Sequence, residues 1–327
     1  MILPEFHYHQ PSTLDEALEI VSSCKDDFDF IAGGTDVLPN YKYRLNARKN
    51  VISLSGIKEL YEMSDKKIGS MITLIQLEKD SNLGAAYPVL AAAARLVATP
   101  LLRESGTVGG NILLDTRCWF FNQSFLWRES KGFCLKAGGD VCLVVPQKEI
   151  CYATYSGDLA PIFMVLDATF HLAGPEGKRE VNARKFFTHD GITRNVKLPD
   201  ELLTHISLPE ASQNLNAAYK KLRVRDSMDY PVMGTAVALR LTEKTIDEIQ
   251  IAITGTGTTP FIYDEITEQF KGDTLTPELI VQISNEVMEE VQPYRNVHFS
   301  PQYRKAMVAV YLQRLLTDLS KPKTATN

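Results

Sequence analysis

Two glycine pairs, Gly33-Gly34 and Gly109-Gly110, most constrain what this 327-residue chain can fold into. Each sits where backbone must turn sharply or approach another segment closely. Phe28-Asp29-Phe30-Ile31-Ala32 reads as a short strand running into Gly33-Gly34-Thr35-Asp36, and Asn50 to Leu54 reads as a second strand. Consecutive N–H groups in such a turn can cradle an anion such as a pyrophosphate. An ordinary tight turn is the competing reading, because the motif is neither a Walker loop nor GxGxxG. Thr107-Val108-Gly109-Gly110-Asn111 adds a hydroxyl and an amide, and two such loops in one domain suit the two sides of a dinucleotide site. Thr254-Gly255-Thr256-Gly257 reads as a turn after a strand.

The remaining pattern is α+β. A Thr-x-x-Glu capping signal at Thr13 to Glu16 precedes Leu14, Ala17, Leu18 and Val21 at helical spacing, which predicts a helix over 13–23. Residues 85–98 predict a small-residue helix, 103–111 a loop, and 169–178 a hairpin. Pro209 and the polar ASQN stretch mark a domain boundary near 210. Beyond it, 217–228, 232–242 and 249–254 read as strands and 276–291 and 301–318 as helices, so a second domain with an antiparallel sheet and helices is expected. A polar tail, SKPKTATN, ends the chain. The formal net charge of −5 argues against a nucleic-acid partner. No run of about 18 apolar residues and no basic leader are visible, so the expectation is a cytoplasmic protein without a membrane span.

Four of the five cysteines, Cys118, Cys134, Cys142 and Cys151, fall within residues 118–151. Four thiolates are the complement of a [4Fe–4S] cluster or a four-cysteine zinc site. Zinc knuckles pair cysteines two to four residues apart, and these spacings are 16, 8 and 9, which favours a cluster held by an extended loop. Trp119, Phe120, Phe121, Phe125, Trp127 and Phe133 share the window and could shield a cluster; four buried structural thiols are the alternative. Cys24 reads as core, and the six histidines match no metal spacing. Lys221, beside Arg223, Arg225, Asp226 and Asp229, reads by itself as a solvated lysine. No residue stands out as a substrate-transforming acid, base or nucleophile, so no catalytic residue is assigned.

Taken in order, IAGGTDVLPNYK, TVGGNI, SGDLAPIFMVLDA, YKKLRVRDSMDYPVMGTAVAL, ITGTGTTP and YRKAMVAVYLQRLL resemble the flavin subunit of the xanthine dehydrogenase and molybdenum hydroxylase family across nearly the whole chain. The resemblance implies a two-lobed FAD-binding domain of the vanillyl-alcohol-oxidase (PCMH) type over 1–210, then a smaller α+β domain over 211–327. It implies that Ile31, Ala32, Gly33, Gly34, Thr35, Asp36, Val37 and Leu38 wrap the FAD pyrophosphate. Thr107, Gly110, Asn111 and Asp158 would complete the site, with Lys221 near the flavin. The departure is the 46 residues, 112–157, between Asn111 and Asp158, where ordinary members pass almost directly. This insertion, about 114–155, looks like that of the β subunit of 4-hydroxybenzoyl-CoA reductase, where it binds a [4Fe–4S] cluster.

By that resemblance the four clustered cysteines are the cluster ligands; Asp115, Arg117 and the aromatics around Cys118 are candidates, from their position in the sequence, to shape its potential. The implied partners are a large molybdopterin-binding catalytic subunit, a small subunit with two [2Fe–2S] centres and a ferredoxin-like donor, in a dimer of heterotrimers. Two rival readings remain: a flavin subunit passing electrons out to NAD, and an assembly subunit whose four cysteines hold zinc.

Overall fold

A computed structural model describes residues 2–321, so the polar tail lies largely outside the described residues. The first lobe begins with β1 (His7–His9), α1 (Leu14–Ser23), β2 (Phe28–Ile31), α2 (Val37–Lys42) and β3 (Asn50–Ser53). The strands form a parallel sheet in the order β1-β3-β2, and the helices fill the crossovers that parallel pairing requires. The Thr13 hydroxyl accepts the Glu16 N–H and the Glu16 carboxylate accepts the Ser12 N–H, so α1 starts where the capping signal places it. Leu14, Ala17 and Val21 form its buried face.

A second sheet has the order β4-β7-β5-β6, with β4 at Lys67–Gly69, β5 at Thr169–Gly174, β6 at Gly177–Asn182 and β7 at Leu202–Ser207, all antiparallel. Between β4 and β5 lie α3 (Leu74–Lys79), α4 (Ser81–Ala86), α5 (Pro88–Leu96), α6 (Pro100–Ser105), α7 (Val108–Ile112), α8 (Phe125–Ser130) and α9 (Ala160–Val165). The single helix expected over 85–98 is instead two. Pro88 excludes α conformation from Tyr87, which sits at φ −137°, ψ 72°. The loop expected over 103–111 is largely helical, because Thr99 and Thr107 each cap a short helix with their hydroxyls.

The second domain's sheet, order β11-β10-β9-β8, comprises β8 (Asn216–Leu222), β9 (Met233–Thr242), β10 (Thr245–Thr254) and β11 (Phe261–Ile262). It is antiparallel, and α10 (Asp264–Thr267), α11 (Pro277–Glu290) and α12 (Pro301–Leu319) follow it. Residues 223–228 do not extend β8; Arg223 and Arg225 turn to pair with Asp226 and Asp229 instead. Alternation in β9 and β10 explains how this sheet is held. Val237, Leu239, Ile251 and Ile253 pack on α11 and α12, while Ala236, Ala238 and Ala252 face Ala93 and Ala94 of α5 and Ile162 and Phe163 of α9. Helices thus cover both faces, which is why β9 reads as a nearly continuous apolar run.

His171 of β5 and His205 of β7 stack with ring centroids 3.9 Å apart. Burial, then the charges of His171 and Lys67, pulls His205 down to about 4. The unfolded chain therefore binds this proton more readily, so stability is highest above about pH 6.5 and falls as pH drops toward His205's folded value. His205→Asn should flatten that acid limb by about 1 kcal/mol between roughly pH 6.5 and 4.5, allowing for partial exposure. Urea midpoints across this range read the effect, and an unchanged slope would contradict it.

Candidate functional site

The glycine loops meet at one cavity of about 640 Å³. Its walls include Ala32, Gly33, Gly34, Thr35, Asp36 and Val37 from the end of β2, Thr107, Gly110 and Asn111 from α7, and Asp158 and Lys221. Ile31 and Leu38 are not among the lining residues; they pack with Tyr41 and Val51 beneath the loop. Close approach explains the glycines. A Cβ on Gly33 would stand 1.7 Å from the Ser105 carbonyl oxygen, one on Gly109 would stand 2.8 Å from Ser70 Cβ, and Gly34 adopts φ +70°. The Thr107 hydroxyl accepts the Gly110 N–H at 3.0 Å, and Asn111 Oδ1 accepts the Leu159 N–H at 2.9 Å.

Asp158 and Lys221 are buried together, each side chain 2% exposed, with 3.1 Å between carboxylate and ammonium. Lys221 is therefore not the solvated lysine its neighbours suggest. Its Nζ also donates to the Leu96 carbonyl, and the Tyr219 hydroxyl donates to Asp158 at 2.9 Å. Burial pushes the Asp158 carboxyl up, and Lys221 opposes that shift. Lys197, on the same wall, is drawn down to about 8 by burial and donates to the Leu198 and Glu201 carbonyls.

Several cavity residues carried no local signal in the sequence: Ser70, Asn122, Lys197 and Tyr230. Arg117 joins them. It pairs with Asp36, lies 5.3 Å from the Tyr230 ring and donates to the Tyr230 hydroxyl at 3.3 Å. Arg117 Nη1 and Ser70 Oγ are buried without a protein partner. Donors orphaned beside a glycine-lined wall fit a phosphate-bearing ligand such as FAD.

The four clustered cysteines line a second, smaller cavity, each 4 to 6% exposed. Phe120, Phe121, Leu135, Leu143, Val144 and Ala153 complete its apolar wall, and Lys136 adds one cation. The neck of the insertion is clamped. Arg117 and Thr154 exchange backbone hydrogen bonds of 2.7 Å, Trp119 donates to the Asn296 carbonyl, and Asn296 Oδ1 accepts the Thr154 hydroxyl. The two cavities share a wall: Asn122 lines the larger one and its Oδ1 accepts the Cys118 N–H at 2.9 Å. Leu45 lines the larger cavity and packs in the apolar cluster that contains Cys118.

A family profile described as the FAD binding domain in molybdopterin dehydrogenase matches residues 4–211, and one described as the CO dehydrogenase flavoprotein C-terminal domain matches 217–319. The chain belongs to the molybdopterin dehydrogenase flavin subunits. This flavin subunit is 26% identical over 320 residues to the carbon monoxide dehydrogenase medium chain of Hydrogenophaga pseudoflava, covering 97% of each chain. It is 24% identical to the xanthine dehydrogenase FAD-binding subunit of Escherichia coli O157:H7, over 95% of this chain and 94% of that one. A solved structure of the Hydrogenophaga pseudoflava carbon monoxide dehydrogenase superposes with a TM-score of 0.80 at 25% identity, over 97% of this chain and 98% of that one. The expected PCMH-type FAD-binding fold and its C-terminal α+β domain are thus present. Among the described residues no helix is long and apolar enough to cross a membrane.

Two outcomes follow for the flavin subunit. Gly33→Ala forces a backbone shift at Ser105 and should cost about 1–3 kcal/mol and lower FAD retention, whereas Gly84→Ala, with open space around it, should do neither. Thermal unfolding and released flavin measure both. Burial pushes Cys118 up to about 11 and Cys151 up to about 12. At pH 8 about a thousandth of Cys118 is then thiolate. Iodoacetamide should therefore label Cys118 and Cys151 at least about a hundredfold more slowly than in the urea-unfolded chain; equal rates by peptide mass spectrometry would refute this.

Proposed function

We propose that this chain is the electron-transfer flavin and iron–sulfur subunit of a molybdenum-containing reductase, relaying electrons from a ferredoxin-like donor through [4Fe–4S] and FAD to partner [2Fe–2S] and molybdopterin subunits. The substrate class is a phenolic thioester such as 4-hydroxybenzoyl-CoA, reductively dehydroxylated on the large subunit, in a dimer of heterotrimers. Residues 1–210 act as the FAD-binding domain, carrying the cluster-binding insertion at about 114–155, and 211–327 as the C-terminal domain. One observation carries the reading: four buried cysteines line one cavity that adjoins the cavity formed by the glycine loops, with Asn122 and Leu45 of the larger cavity in contact with Cys118 and its apolar cluster.

When bound, FAD can exchange one or two electrons and the cluster one at a time, and the protein's part is to hold and orient both. Cys118, Cys134, Cys142 and Cys151 supply four thiolates from one apolar, largely water-excluded wall. Among the described residues no three His, Cys, Asp or Glu side chains are grouped to hold a single metal ion. Zinc bonds its thiolates at about 2.3 Å around one point; the four cysteines line one cavity in common, as the cluster reading requires. Ala32 to Val37, Thr107, Gly110 and Asn111 present backbone and short polar side chains to the dinucleotide, and Arg117 braces that loop through Asp36. Asp158 and Lys221 fix the far wall as a neutralised pair.

Anaerobic purification should yield about four irons, four acid-labile sulfides and one FAD per chain. Cys134→Ser should lose the iron and keep the flavin, and ferredoxin-driven turnover of the assembled complex should fall at least tenfold. Unchanged turnover in an iron-free variant would overturn the route. FAD without iron would fit a flavin subunit delivering electrons to NAD; zinc without flavin would fit an assembly subunit.

A further inference from the structure

We infer, on the cluster reading just given, that Arg128 is the counter-charge of the four-cysteine site and raises the reduction potential of the group held there. Arg128 lies on α8 and is only 5% exposed. Its Nη2 donates to the Arg44 carbonyl at 3.2 Å, and its Nε is buried with no partner. Among the described residues no carboxylate lies within ion-pair distance of it. Other buried arginines are better matched. Arg103 pairs with Glu78 at 3.0 Å, and Arg304, whose Nε is likewise without a partner, spreads its charge over three backbone carbonyls, those of Val232, Gly255 and Tyr294, where Arg128 has one.

A buried guanidinium with neither a counter-ion nor a full set of acceptors is destabilising, and an anion nearby would relieve it. The Phe121 ring separates Arg128 from the cysteine cavity: Phe121 lines that cavity, and the guanidinium carbon stands 6.0 Å from the ring centroid. The Phe133 N–H donates to the Arg128 carbonyl at 3.0 Å, which holds Cys134 next to the end of α8. Lys136, 4.8 Å from the Phe121 ring, is already matched by Asp115 at 2.7 Å. Arg128 is therefore the uncompensated cation. Thiolates coordinating iron leave the site anionic, and an electron taken up adds to that charge, so a fixed cation behind Phe121 favours the reduced form.

The test uses the full chain, purified anaerobically with its iron, sulfide and flavin counted, as wild type, Arg128→Gln and Arg128→Lys. Gln keeps a donor for the Arg44 carbonyl but removes the charge; Lys keeps the charge but not the fork. An EPR-monitored redox titration should show the reduced-to-oxidised ratio of Arg128→Gln lowered on the order of tenfold at the wild-type midpoint, equivalent to about 59 mV for one electron. Arg128→Lys should stay near wild type. If Gln loses the iron while Lys retains it, the need for the charge is shown by retention instead. Equal midpoints in all three proteins, or equal shifts or equal iron loss in both variants, would reduce Arg128 to packing and overturn the inference. Absence of iron from the wild-type chain would instead sink the cluster reading itself, so the two failures are distinct.

Discussion

The buried contact between Asp158 and Lys221 is the joint on which the rest of the molecule depends. Asp158 lies two residues before the helix Ala160–Val165, Lys221 comes from the first strand of the second domain's sheet, and the Leu96 carbonyl brings in the helix Pro88–Leu96. One ion pair, completed by the Tyr219 hydroxyl, thus ties the FAD-binding lobe to the C-terminal domain beside the cavity wall. Desolvation makes such a pair a poor source of net stability, while loss of either partner strands a buried charge. Its value is specificity of assembly: the two domains can dock in the register that satisfies both charges, and the alanine face of the second sheet then lets the first lobe's helices approach closely.

The insertion is attached to that frame at both ends. It leaves at Arg117 and returns at Thr154, which bond to each other as a two-residue bridge, and Asn296 of the C-terminal domain locks the bridge from behind. Tyr155 then reaches both the Ile112 carbonyl and, through its backbone, Gly257. A segment this long with one short helix and a 3-10 turn forms few repetitive hydrogen bonds and pays a large ordering entropy. Its own apolar cluster is small, centred on Leu45, Phe121 and Ala153 with three of the cysteines.

Much of the fold was legible because local chemistry and tertiary packing agree. The Thr13 cap, the strand into Gly33-Gly34, the hairpin at 169–182 and the two C-terminal helices sit close to where their patterns place them. The stretch 103–111 was not legible as helix because its turns are too short to show a period; only the Thr99 and Thr107 caps mark them. In the candidate site, the glycine loops and cysteines advertise themselves through residue types that are costly elsewhere. Lys221 misled because its neighbours in sequence are charged and exposed while its neighbours in space are Asp158 and Leu96. Ser70, Asn122, Asn296 and Tyr230 act through contacts made by folding alone, and no local pattern separates them from ordinary polar residues.

The same distinction explains why the cysteine cavity lies where it does. Thiols are soft and apolar enough to sit in a core when protonated, and burial holds Cys118 and Cys151 in that form. Coordination requires the thiolates, so filling the site releases protons and turns an apolar cluster into an anionic one. A wall of Phe121, Leu135 and Val144 alone would resist that change. Cations are already buried at its edge, Lys136 inside the lining and paired with Asp115, Arg128 behind Phe121, and on the cluster reading proposed above they suit the charged state of the cysteines. On that reading the neutral chain carries a guanidinium with no carboxylate partner, and coordination of the four thiolates would supply both the missing counter-charge and the closure of the loop over 118–151.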